Sequence, residues 1–384
     1  METIEIMQIL AQGEDSENQF KKNITNADSL AAEMVAFSNG KGGRIFIGVD
    51  DDGSISGLTS EDVKRLNQLI SNTSSQNVKP AINPTTKNIF LNNTLILVVN
   101  IPAGINKPYQ DKNGIFWVKN GADKRKATSR EEIQRLFQRS GLIHADEVLA
   151  NGLTIPDLDM DYFRTFFQKR YGDSLENQQM PLEQIINNMN LGHNGTLNLT
   201  GALLFSKNPS NRLPSFIVKA GCFPGEKITG GNYIDSRDIS GKMSDIFHQT
   251  MNFVLSNIRH IQGEQTVNSQ GEPEIPRIVL EELIVNALVH RDYFISAPIR
   301  VFVFADRVEI ISPGNLPNNL TVENIKAGNS NSRNPVLASF ANHILPYRGY
   351  GSGILRALEN YPAIDFIDDR DGNLFKCIII RGMA

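Results

Sequence analysis

Two cysteines, one tryptophan and six histidines among 384 residues leave this chain little material for disulfide or metal chemistry. Cys222 and Cys377 lie far apart among apolar neighbours, with neither zinc-type spacing nor the pattern of a disulfide framework, so a reducing cytoplasm is the expected compartment. His193, His248, His260 and His343 have no acidic or cysteine partner at ligand spacing and read as structural or surface residues. No apolar run reaches 18 residues, which argues against membrane association, and the acidic start Met1-Glu-Thr-Ile-Glu5 lacks the layout of a signal peptide. A dominant charge is missing too. The formal net charge of −4 and pI near 5.9 provide no global attraction to nucleic acid, so any such binding needs a local basic patch. Gly40-Lys41-Gly42-Gly43 lacks the spacing and the Lys-Ser/Thr pair of a P-loop, which excludes a Walker-type ATPase there.

What is present is enough for two or three domains, at about 150 residues each. The most informative stretch is Glu282-Leu-Ile-Val-Asn286-Ala-Leu-Val-His290-Arg-Asp-Tyr293. Leu283, Ile284, Ala287 and Leu288 recur at the spacing of a buried helix stripe, while Glu282 and Asn286 stand one turn apart on another face. Asparagine is a poor helix-interior residue, so its place there asks for a reason. Strands are expected at 299–304 and 308–311, followed by the breaker Ser312-Pro313-Gly314. Gly349, Gly351 and Gly353 then alternate just before a helix-like run, where backbone amides can face a phosphate. In order, these parts outline a nucleotide pocket.

From about Glu272 onward the chain resembles the GHKL ATPase fold, in the divergent form found in RecG-like helicases and transcriptional regulators. That resemblance implies ATP and Mg²⁺, with Glu282 activating water and Asn286 holding the metal. Gly314 would lie at the nucleotide, and Gly349, Gly351 and Gly353 would form the phosphate-contacting lid. One departure is evident: Ser312-Pro313-Gly314 replaces the Asp-x-Gly-x-Gly box whose aspartate binds the adenine amino group.

Residues 5–138 look like a Schlafen AlbA-type domain. The match rests on Gly13-Glu14, on Phe20-Lys21, on Ala36-Phe37-Ser38-Asn39 ahead of Gly42-Gly43, on Gly48-Val49-Asp50 and on Val118-Lys119-Asn120-Gly121. Thr128 or Ser129 can cap its final helix, which Ser140-Gly141 ends. Some Schlafen relatives cleave RNA with three carboxylates, and the matching positions are Glu14, Gln19 and Asp50. Mg²⁺ or Mn²⁺ needs anionic oxygens, so the neutral Gln19 removes one ligand of three. Lys21, Lys22, Arg44, Lys119, Lys124, Arg125 and Lys126 remain as nucleic-acid contacts, with Tyr109, Phe116 and Trp117 as stacking partners.

The chain therefore reads as an α/β (α+β) protein of three parts: a Schlafen AlbA-type domain at 1–138, an α/β connector at 139–266 and a GHKL-like α/β sandwich at 267–384. In the connector, helices are expected at 159–167, 182–189 and 239–261, a compact apolar piece at 200–205, a strand at 215–221 and an exposed loop at 263–276. Arg291 and Asp292 are expected to pair at the end of the motif helix. No C-terminal winged helix is expected. The leading function is an ATP-binding, nucleic-acid-binding regulator, cytoplasmic and homo-oligomeric, with DNA or RNA as partner. Its rivals are a metal-dependent nuclease using Glu14 and Asp50, and a non-catalytic scaffold.

Overall fold

The computed structural model describes residues 3–140, 142–228, 232–262, 271–317, 320–349 and 351–382. They form two compact units, Met1–Ile143 and His144–Ala384.

In the first unit the strands Asn18–Lys21, Gly42–Ile47, Thr94–Pro102 and Thr85–Leu91 lie side by side in that order. The first pair is parallel and is joined by the helix Ala27–Asn39, because parallel neighbours need a crossover. Asn26 starts that helix by accepting from the amides of Asp28 and Ser29. The strands alternate as a covered sheet must. Ile45, Ile47, Leu97 and Val99 face the crossover helix, while Phe20, Phe46, Ile96 and Val98 meet Ile6 and Leu10 on the other side. The Asn39 side chain donates to the carbonyls of Tyr109 and Trp117, each at 2.9 Å, and so secures the hairpin Trp117–Asn120/Asp123–Lys126. Ser129 caps Arg130–Arg139; Gly141 lies outside the described residues.

The second unit is built on a six-stranded sheet in the order Asp235–Ile239, Val218–Cys222, Ile299–Val303, Arg307–Pro313, Leu374–Ile380, Ile364–Asp369. Helices Met243–Asn257 and Arg277–His290 pack against each other and against its strands. One hydrophobic core runs from Ala145 to Ile379. The boundary expected at 266/267 lies outside the described residues, and strands from both sides of it share one sheet. Ile239 is a further difference: it ends a strand, and the helix expected over 239–261 is Met243–Asn257. The apolar piece at 200–205 is the helix Leu199–Phe205, and Glu272–Pro273 pairs with His260–Ile261 beside the loop expected at 263–276, whose residues 263–270 lie outside the described residues. Among the described residues no helix is long and apolar enough to cross a membrane.

Candidate functional site

The motif helix Arg277–His290 opens after Pro276, where a missing N–H costs nothing. Its buried residues enclose it almost completely, yet Glu282 and Asn286 both reach a pocket. Across that pocket stands the helix Gly353–Asn360, which begins at the last of the three glycines expected to form a lid. A Cβ on Gly353 would lie 2.5 Å from Glu282 Oε2 and 3.3 Å from Asn286 Nδ2, so any side chain there would force the Glu282 carboxylate to shift. Gly349 and Gly351 have φ of +72° and +74°, in the left-handed region where side chains are strained. Tyr350 between them lies outside the described residues. At Gly351 a Cβ would come within 2.7 Å of the Gly328 carbonyl oxygen, so the glycine loop crosses the 328–331 segment closely.

The pocket has two chemically distinct linings. Leu283, Ala287, Ile310, Ile325, Phe375 and Cys377 are apolar, whereas Glu282, Asn286, Asn329, Ser330, Arg348 and Arg356 are polar or charged. It encloses about 1010 Å³, counting the part open to solvent. Small-molecule sites typically combine such an apolar lining with a few convergent polar groups. Gly314, at φ +95°, lines it as well. Ser312 donates its hydroxyl to the Ala287 carbonyl at 3.3 Å.

Arg356 Nη2 lies 2.6 Å from Glu282 Oε1, and the carboxylate side chain is only 7% exposed. Burial pushes the Glu282 carboxyl above its ordinary value, and Arg356 followed by Arg348 pulls it back. At the helix end, Arg291 does not pair with Asp292 as expected. Its guanidinium donates to the carbonyls of Ile295 and Ala297 at 3.0 and 2.6 Å and lies over Phe216 and Tyr293, while Asp292 meets Arg333 at 3.5 Å. The reason is competition: two carbonyls and two ring faces surround a guanidinium that is almost wholly buried. Asn334 donates to the carbonyls of Val289 and Arg291, closing the C-terminal turn.

His290 Nε2 lies 3.1 Å from the Tyr347 hydroxyl at the root of the glycine loop. Burial, with Arg333 adding to it, pushes its imidazole down to about 4. The unfolded chain takes up this proton near pH 6.5, while the folded chain refuses it until about 4. Stability contributed by the neutral ring is therefore complete above 6.5 and is lost as pH falls through that window, by at most about 3 kcal/mol. The ring keeps some exposure to the pocket, which lowers that ceiling. Urea midpoints at pH 7 and 4.5 should differ less in His290→Gln than in the unaltered protein; an equal difference refutes the assignment.

In the first unit the expected carboxylate set takes another form. Glu14 Oε1 accepts from Gln19 Nε2 at 2.8 Å and from the Phe20 amide at 2.6 Å, and Lys21 stands 3.5 Å away. Gln19 Oε1 in turn accepts from Lys119 Nζ at 2.9 Å. Lys119 and Lys124 lie 3.9 and 2.7 Å from Glu33, and Lys119 sits above the Phe37 ring. Burial lowers the Lys119 ammonium, with Glu33 opposing it. Asp50 belongs to a separate pair with Lys22 at 3.4 Å. Among the described residues no group of three or more His, Cys, Asp or Glu side chains is arranged to hold a metal ion. Arg44 meets Glu5 and Arg125 meets Glu132, so six of the seven expected nucleic-acid contacts have a carboxylate partner. Lys126 instead lies over Trp117, 5.4 Å from the ring centre.

Residues 14–128 match the family described as Schlafen, AlbA_2, and residues 296–369 match that described as "Putative ATP-dependent DNA helicase recG C-terminal". The chain carries a Schlafen AlbA_2 domain followed by a RecG C-terminal-type domain. Its domain pairing is that of a nucleic-acid-related, ATPase-like protein. No curated protein matches the chain. Among solved structures, the DIP2311 protein of Corynebacterium diphtheriae is 21% identical at a TM-score of 0.46, over 99% of this chain and 80% of that one. The N-terminal domain of a RecG-related protein of Nitrosomonas europaea is 23% identical at 0.24, over 33% of this chain and 94% of that one.

The RecG C-terminal-type match contains Gly314, the three lid glycines and Arg356, but begins after Glu282 and Asn286. Sequence reasoning overlooked Arg356, Arg348, Tyr347 and the polar 329–330 segment. For Arg356 a signal existed: it follows Gly353 by three residues, which puts both on the helix face toward Glu282. Glu33 was overlooked as well, because one carboxylate in a long apolar helix reads as a solvated position until the hairpin lysines fold onto it.

Proposed function

We propose that the chain is an ATP-binding regulatory protein, in which the RecG C-terminal-type module binds the nucleotide and the Schlafen AlbA_2 domain binds nucleic acid. The observation that carries this reading is that Glu282, Asn286, Gly314, Gly349, Gly351 and Gly353, drawn from three separated stretches of chain, line a single pocket. The apolar lining suits a nucleobase. The Asn286 carboxamide, the uncapped start of the lid helix and the arginines suit phosphates and their Mg²⁺. In the Schlafen AlbA_2 domain, Lys22, Arg125 and Lys126 are the most exposed of the expected contacts. Cleavage by that domain is disfavoured, since the Gln19 amide stands between Glu14 and Lys119 where a metal-binding acid would be required. Regulation follows if the nucleotide binds two arrangements of the protein with different affinity.

ATP with Mg²⁺ at 100 times its dissociation constant should stabilise the protein by about 2.7 kcal/mol. Asn286→Ala should abolish that response in thermal unfolding. An equal response in the variant, or none from the unaltered protein with any nucleotide, removes the proposal.

A further inference from the structure

Arg356 occupies an unusual position. It is the cation that neutralises Glu282, it is 20% exposed, and it lines the same pocket. One nitrogen of its fork lies on the carboxylate, while Nε is shielded from solvent without a hydrogen-bond partner. A guanidinium has five donors in a rigid fork suited to two oxygens at once. Glu282 needs this partner, because a buried carboxylate left alone is costly. Arg356 also sits in the first turn of the lid helix, whose Ser352 side chain makes no capping bond. The leading amides of that helix are free to meet an anion within reach of the guanidinium. With a base against the apolar lining, the phosphate farthest from the base is the one that competes with Glu282 for this fork.

We propose that Arg356 is shared between Glu282 and the terminal phosphate of a bound nucleoside triphosphate, and thereby sets the preference for triphosphate over diphosphate. The inference rests on the nucleotide-binding reading above. Two consequences follow from the geometry. Glu282 restrains Arg356 when a diphosphate is bound, and it must yield part of that contact to a third phosphate. Removing the carboxylate charge therefore favours triphosphate specifically, and only while Arg356 is present.

The test measures dissociation constants for ATP and ADP with Mg²⁺ by calorimetry on the full chain. The forms compared are the unaltered protein, Glu282→Gln and the double variant Glu282→Gln/Arg356→Gln. The double variant contains no unpaired buried carboxylate, so its fold is not penalised by the missing arginine. Glu282→Gln should raise the ATP-over-ADP preference. Adding Arg356→Gln should lower it about 10- to 100-fold, the range of a charged hydrogen bond. The same preference in both variants overturns the proposal. Failure of every form to bind either nucleotide overturns the underlying reading instead.

Discussion

Arg291→Ala should destabilise the second unit by about 3–5 kcal/mol, the cost of dismantling a buried charged site. The side chain is 2% exposed and packs over the adjoining rings of Phe216 and Tyr293. Its loss creates a cavity and takes a donor from the carbonyls of Ile295 and Ala297, of which only Ile295 keeps another, the Ala297 amide. Arg291→Met separates these contributions. The thioether chain restores much of the packing but cannot donate, so it should recover part of the stability and remain more than about 1 kcal/mol below the unaltered protein. Urea unfolding followed by circular dichroism measures both. A loss below about 1 kcal/mol for the alanine variant would show that Arg291 is not the keystone of the motif-helix end. Because this residue ends the helix that carries Glu282 and Asn286, the same variant should also weaken any nucleotide response.

Gly353→Val is the second large effect. Its Cβ would stand 2.5 Å from Glu282 Oε2, and the added methyls project farther into the pocket. Either the carboxylate leaves Arg356 or the lid helix retreats. We expect complete loss of the ATP-dependent stabilisation, together with about 1–3 kcal/mol of overpacking and lost ion pairing. Glu282→Ala in the same chain removes the clash, so the double variant should regain the overpacking part of that loss, though not the ion pair, while remaining deaf to ATP. Retained nucleotide stabilisation in Gly353→Val would separate the pocket from ligand binding altogether.

The parts of the site that could be read in advance share a physical property: local spacing encodes them. Glu282 and Asn286 are one helical turn apart, and a turn brings them together in any fold that keeps the helix. The breaker at Ser312-Pro313-Gly314 and the alternating glycines need backbone conformations that few other residues adopt, so their composition reveals them. The Arg291–Asp292 pairing failed for the complementary reason. Adjacent residues on a chain ending its helix point apart, and Phe216 and Tyr293 compete from positions that no local pattern links. The helix expected over 239–261 began too early because Ile239 is apolar both in a strand and in a helix; only its pairing with Val218 selects the strand.

By itself, the sequence determined the mixed α/β class, the two recognisable regions, the motif helix with its acid and amide, and the glycine-marked turns. Each follows from periodicity or backbone restriction within a few residues. Tertiary structure alone decided that Arg356 sits on Glu282, that Lys119 and Lys124 converge on Glu33, that Gln19 links Glu14 to Lys119, and that strands on both sides of residue 266 share one sheet. Those contacts join residues 60 or more positions apart, apart from the Glu14–Gln19 link itself. Their formation depends on burial and on which partner is nearest once the chain has collapsed, quantities that have no local signature.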